Sequence, residues 1–265
     1  MRSSMTVQRH PSESAGSTSA APHERAYEGS ELALFAHAHH WKAYWSSKAL
    51  PFVGGRVLDV GAGLGATADA LRRASCTSWC ALEPDPDLCA ATSDAVSRGL
   101  LPAHVQSRQG TLADLRADEH YDSILYIDVL EHIEDDRGEL MRATRHLEPG
   151  GHLIVLAPAH QWLYTPFDQA IGHFRRYTRA GLRALRPAGL ELVRLQYLDS
   201  VGMLASLGNR LLLRSSQPTR AQIRIWDDFM VPVSRLIDPL LFGRVGKSVL
   251  AVFRRTPIDS HPRAQ

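Results

Sequence analysis

The stretch VLDVGAGLGATADAL, residues 57–71, passes from a short apolar strand pattern through Gly61, Gly63 and Gly65 into a helical pattern. The glycines let the backbone turn sharply off the strand end and let a ligand approach where a Cβ would collide. From Arg56 onward, short apolar runs alternate with helical patterns, the signature of an α/β chain with a parallel sheet covered on both faces. Strands are expected near 56–60, 78–83, 103–108, 122–127, 151–157, 190–198 and 248–254, and helices near 64–74, 86–98 and 137–147. The gap of roughly 50 residues before the last strand is too long for a plain loop, so it should fold into helices of its own.

With 265 residues, of which 44% are hydrophobic and 22% charged, the chain can bury one sizeable core with an appendage. The domain is expected over 26–255, with 200–245 as the helical insert. The Ser-, Ala- and Pro-rich head, residues 1–25, has no hydrophobic period and reads as a disordered tail, and 256–265 reads as a second tail. A net charge of +2, from 30 basic and 28 acidic residues, gives no reason to expect nucleic acid or an anionic membrane surface as the main partner. Cys76, Cys80 and Cys89 fit neither a disulfide framework nor paired zinc half-sites, and read as reduced thiols. No apolar stretch approaches the ~20 residues of a membrane span, and the N-terminus lacks a signal-peptide core, so a cytoplasmic location is expected.

The turn alone does not identify its ligand, because Gly61, Gly63 and Ala66 also satisfy the dinucleotide fingerprint G-x-G-x-x-G/A. Asp59 separates the readings: a carboxylate two places before the first glycine would repel a pyrophosphate and suits a cationic ligand. Glu83 ends the second strand about 20 residues beyond the glycines, where an acid accepts hydrogen bonds from both hydroxyls of a ribose. In YDSILYIDVLEHIEDD, residues 121–136, Asp128 ends a buried strand, and Glu131 and His132 follow.

Taken in order and spacing, VLDVGAGLG, ALEPD, IDVLEHIEDD and LEPGGHLIVLAP resemble the class I S-adenosylmethionine-dependent methyltransferases, particularly those similar to ubiquinone-pathway methylases. GHFRRYTRAGLRALRPAGLELV resembles the segment that follows the fifth strand in this group, and the likeness covers about residues 27–255. The resemblance implies a Rossmann-like seven-stranded sheet whose last strand runs antiparallel. It implies that Asp59, Gly61, Gly63 and Gly65 hold the methionine part of S-adenosylmethionine, with Asp128 as a further contact, and that Glu83 binds the ribose. It also places Thr111 and Leu112 at the adenine, although many relatives carry an acid where Thr111 stands. The activity implied is methyl transfer to a small-molecule or hydrophobic, lipid-like acceptor, with O, N and C all open as the methylated atom. The alternatives are a nicotinamide-dependent oxidoreductase and a catalytically silent cofactor-binding module.

For acid–base work the candidates are His132 and His173, since imidazole titrates near neutral pH. Residues 156–178 leave the carboxyl end of strand five, where ligands of open α/β sheets lie, so Tyr164, Arg175, Arg176 and Tyr177 are candidate acceptor contacts. The insert adds Trp226 and Phe229 to an apolar cap over the acceptor; a homodimer interface is the competing reading of the same surface. An amphipathic helix is expected over 27–45. Its His37, His39 and His40 do not share the i, i+4 face of a two-histidine site, and no metal is expected.

Overall fold

The computed structural model describes residues 35, 37–208 and 219–257. Its sheet has seven strands: β1 Gly54–Val60, β2 Ser75–Glu83, β3 Val105–Gln109, β4 Tyr121–Ile127, β5 Leu147–Pro158, β6 Leu190–Leu198 and β7 Ser248–Arg255. They lie in the order β3-β2-β1-β4-β5-β7-β6. Strands β1 to β5 are mutually parallel, and β7 pairs antiparallel with both β5 and β6. The implied antiparallel last strand is therefore present, and the strand order reverses between β1 and β4, the switch point where ligands of such sheets bind.

The helices are α1 His39–Ala49, α2 Ala66–Ala70, α3 Pro86–Ser97, α4 Asp136–Arg145, α5 Pro166–Ala170, α6 Arg179–Leu185, α7 Ser200–Gly208, α8 Arg220–Ile225 and α9 Val231–Ile237. The helix expected over 64–74 lasts only through Ala70, because Gly65 starts it in a left-handed conformation and Leu71 leaves helical geometry. Two apolar clusters sandwich the sheet. One, with Trp41, Tyr44, Trp45 and Trp79, lies under α1; the other, with Tyr126, Leu130, Leu140 and Tyr177, lies under α4 and α6.

The helix expected over 27–45 is not continuous: Phe35 is helical, but His37 turns and Ala38 leaves helical geometry, so α1 begins only at His39 and runs to Ala49; residues 27–34, 36 and the head 1–25 lie outside the described residues. Of the expected tail 256–265, Thr256 and Pro257 are described. The insert between β6 and β7 is helical, as expected, in α7, α8 and α9, with 209–218 outside the described residues. Between α8 and α9 a π-helical turn, Trp226–Met230, shifts the helical phase so that consecutive Trp226 and Asp227 both point inward.

Three buried acids tie the insert to the body. Asp227 accepts from the amides of His40 and Trp41 at 3.0 and 2.8 Å, capping α1 from a distance. Asp238 accepts from the Tyr44 hydroxyl and from the amides of Asp199 and Ser200. Asp199 accepts from the Trp226 indole at 2.6 Å, the Ser234 hydroxyl at 2.6 Å and the Gly202 amide at 3.0 Å.

Candidate functional site

The glycine turn leaves β1 with Gly61, Gly63 and Gly65 all at positive φ, 64°, 54° and 77°, where an L side chain is strained. A Cβ on Gly61 would also meet the Val129 side chain at 2.8 Å, so the turn lies directly against the loop after β4. Glu83 locks the turn to β2: its Oε2 accepts from the Gly63 amide at 2.8 Å and its Oε1 from the Asp85 amide at 3.0 Å. Each oxygen keeps a second lone pair. Burial raises the Glu83 carboxyl, and these two amides oppose the rise.

Asp59 is 1% exposed, and its Oδ2 has no hydrogen-bond partner. Burial pushes its carboxyl up to about 8, Trp79 pulls the other way and the Glu83 charge adds to the rise. The Trp79 indole nevertheless makes no hydrogen bond of acceptable geometry, so Asp59 stands as a buried acid short of a partner. A buried carboxylate wanting positive charge, a glycine cradle and an acid at the next strand end are the donor set that a cationic nucleoside fits. Thr111 and Leu112 stand at the neighbouring strand end. The Thr111 amide and hydroxyl both bond Asp114 Oδ2, and Leu112 is buried, which fixes the loop's path without committing its outer edge.

Asp128 follows β4 at φ 54°, open to solvent yet crowded by protein atoms. That crowding raises its carboxyl to about 7, and the Lys247 charge opposes the rise. Lys247 reaches in from the end of the insert, 3.5 Å from Asp199 Oδ2 and 3.7 Å above the Trp226 ring.

Past β4, Glu131 and His132 fall in a 3-10 turn, Leu130–His132, and the segment after β5 folds onto it. The Phe174 amide donates to the Glu131 carbonyl at 2.8 Å, and the rings of His132 and His173 lie 4.6 Å apart at 81°. Burial first, then the His173 charge, lowers His132 to about 4, so it is neutral at physiological pH. His173 Nδ1 lies 3.0 Å from Asp168 Oδ1, while its Nε2 lies 3.9 Å from Glu131 Oε1. Burial disfavours the Asp168 charge, but hydrogen bonds from His173 and Arg176 and the Arg176 charge outweigh it and hold this carboxyl well below the usual range.

The structure thus brings His132 and His173 together and gives the other acceptor candidates internal partners. Arg176 bonds Asp168 through Nε at 2.7 Å and Nη2 at 3.0 Å. Arg175 bonds Asp136 at 2.7 Å and the Glu134 carbonyl at 2.7 Å. The Tyr177 hydroxyl donates to Asp136 Oδ2 and approaches the Leu130 carbonyl. Tyr164 donates to the His173 carbonyl at 2.6 Å. Trp226, expected on the acceptor wall, lies in the core at 8% exposure beside Trp41 and Phe35, because its indole N–H needs the Asp199 carboxylate. Phe229, by contrast, is on the open surface.

Two groups escape a reading of the sequence. Asp168 looks like a helix cap, and it does cap α5 with Thr165, yet the same carboxylate orients His173 five residues on and Arg176 eight residues on. Lys247 is separated from Asp128 by more than a hundred residues and carries no motif. Among the described residues, Glu131, His132 and His173 also offer ligand atoms all within 4.8 Å of one another, a metal-competent trio where none was expected. His37, His39 and His40 form no such group among the described residues.

Comparison with known proteins agrees with this geometry. The family model of a methyltransferase domain matches residues 35–195. Ubiquinone biosynthesis O-methyltransferase from Azorhizobium caulinodans is 35% identical over 107 residues, 40% of this chain and 41% of that protein. The match therefore spans about two fifths of the curated relative's length. Among solved structures, coclaurine N-methyltransferase bound to N-methylheliamine and SAH superposes with a TM-score of 0.54 at 14% identity, covering 86% of this chain and 72% of that one. The cyclase SpnF superposes with a TM-score of 0.56 at 18% identity, covering 82% and 81%, so this fold by itself does not fix a reaction. With the family model over residues 35–195 and a seven-stranded sheet that ends antiparallel, the chain belongs to the class I S-adenosylmethionine-dependent methyltransferases.

Proposed function

We propose that this protein transfers the methyl group of S-adenosylmethionine to an oxygen of a small or lipid-like acceptor. The observation that carries the reading is the Asp168–His173 pair beside the loop that abuts the glycine turn. A proton on Nδ1 bonded to Asp168 leaves Nε2 as the acceptor nitrogen, and the carboxylate supports the imidazolium that forms when Nε2 takes a hydroxyl proton. His132, lowered to about 4, is too weak a base for that task and serves as a neutral neighbour. An acceptor that must lose a proton as it reacts is a hydroxyl or phenol, and the curated relative carries an O-methyltransferase name.

The bound cofactor supplies an electrophilic methyl on sulfur. Around it, Asp59 offsets the positive charge, Asp128 lines the methionine side, Glu83 accepts from the ribose hydroxyls with its remaining lone pairs, and Thr111 and Leu112 border the adenine. Aligning the acceptor oxygen with the methyl carbon and excluding water are the protein's remaining tasks. A second reading rests on the trio Glu131, His132 and His173, whose ligand atoms within 4.8 Å suit a divalent cation that would hold the acceptor oxygen. The nicotinamide alternative draws no support from the family.

Transfer of labelled methyl from S-adenosylmethionine to matched panels of phenols, catechols and anilines tests the proposal. The expected result is turnover on hydroxyl acceptors, lost in His173→Ala and insensitive to chelator. Turnover confined to amines defeats the oxygen assignment, chelator-sensitive turnover favours the cation, and S-adenosylhomocysteine binding without turnover on any acceptor leaves a silent module.

A further inference from the structure

The run Arg220–Leu240 hides one face and leaves another bare. Ile223, Trp226, Asp227, Val231, Ser234 and Asp238 point into the protein. Ile225, Phe229, Val233, Leu236 and Leu240 recur every three or four residues on the outside. Phe229 is 68% exposed and Leu236 and Leu240 are each 75% exposed, which is too much apolar side chain on one excursion to be scattered surface residues.

The exposed charge along this run is mostly positive. Arg220, Arg224, Arg235 and Arg244 are exposed and, among the described residues, none is in an ion pair or side-chain hydrogen bond. Two of the three acids in the run, Asp227 and Asp238, are turned inward onto backbone amides and the Tyr44 hydroxyl, which leaves Asp228 alone as the exposed acid. A chain whose net charge is only +2 therefore sets four exposed arginines against one exposed acid over residues 220–244, the stretch that carries this apolar ladder and Phe242, itself 80% exposed.

We propose that this face docks on an anionic lipid bilayer, with Phe229, Leu236 and Leu240 entering the headgroup boundary and the arginines lying against lipid phosphates. A second copy of the chain fits less well, because a two-fold interface built on this patch would bring the same arginines together across it. The proposal does not rest on the reaction assigned above, since it uses no residue of the candidate site.

Cosedimentation of the full chain with vesicles tests it, using phosphatidylcholine alone and phosphatidylcholine mixed with phosphatidylglycerol. Binding is expected only to the mixed vesicles and should be reversed by high salt. Arg224→Glu and Arg235→Glu should each weaken it by about fivefold or more. Leu236→Ser with Leu240→Ser should remove it, while undiminished S-adenosylhomocysteine binding certifies the fold. No binding to mixed vesicles, or binding that these substitutions leave unchanged, overturns the proposal. A dimer seen by light scattering that the leucine substitutions dissolve, without vesicle binding, assigns the face to a second copy and overturns it equally.

Discussion

At the glycine turn, the structure presents backbone at positive φ and an acid with an orphaned oxygen; in the segment after β5, every ionised group has found a partner. Asp59 lacks a cation, whereas Asp168 holds His173, Arg176 and Thr165 at once. The difference separates two tasks. A site that waits for a ligand's charge keeps an unmet need of its own, and a site that moves a proton must hold its base rigidly before the ligand arrives. Damage to the first should appear in cofactor affinity, and damage to the second in turnover.

The largest effect expected is on the proton-handling side. His173→Ala should lower turnover on a hydroxyl acceptor by ~10²–10⁴ while calorimetry finds cofactor affinity unchanged. A comparable loss of affinity would merge the two halves into one. Next, Gly61→Val should weaken S-adenosylhomocysteine binding by about 100-fold, since a left-handed β-branched residue and overpacking against Val129 each cost about 1–3 kcal/mol. Normal affinity in that variant would remove the turn from the cofactor site. Glu83→Ala should cost roughly 10- to 100-fold, the value of charge-assisted hydrogen bonds worth about 1.5–3 kcal/mol, and part of that loss comes from freeing the Gly63 and Asp85 amides.

A smaller effect concerns pH. Asp59, raised to about 8, is protonated at neutral pH in the free protein and must ionise to meet a cation. Affinity for S-adenosylmethionine should therefore climb by up to about tenfold per pH unit below 8 and level off above it. The stability contribution has the opposite trend: a raised acid favours the folded state at low pH, and that contribution is lost as pH rises through 8. Calorimetric titrations from pH 6 to 9 with a flat affinity would show that Asp59 does not face the cofactor's charge. The smallest effect is expected for Arg175→Ala, which should cost about 1 kcal/mol of stability through Asp136 and leave the acceptor KM unchanged. A raised KM would restore Arg175 as an anion-binding residue.

The glycine turn and the acids beside it are legible because their signals are local. Three glycines, Asp59 and Glu83 lie within 25 consecutive residues, and backbone turns and strand ends follow directly from such a run. The strand sequence was equally readable from apolar runs, although the antiparallel sense of β7 came from resemblance and not from any pattern in SVLAVFR. After β4 and β5 the two histidines stand out in the sequence, but their ranking does not. That ranking depends on Asp168, which doubles as a helix cap, and on burial, which weakens His132. Trp226 reads as an acceptor residue because its sequence neighbours are apolar, and nothing local marks that its indole is claimed by Asp199, 27 residues away. Burial partners between distant segments are set by packing and leave no period in the sequence.

The cap on α1 has a consequence for the order in which the chain comes into being. Ala38 offers α1 no side-chain cap, and the Trp41 amide finds its acceptor in Asp227, 186 residues further along. During synthesis, the amides of His40 and Trp41 therefore stay with water until Asp227 has been made. The docking of this helix end can only follow the insert, so a ribosome-bound fragment that ends before Asp227 should protect the β1–β4 amides from exchange while those of His40 and Trp41 remain open.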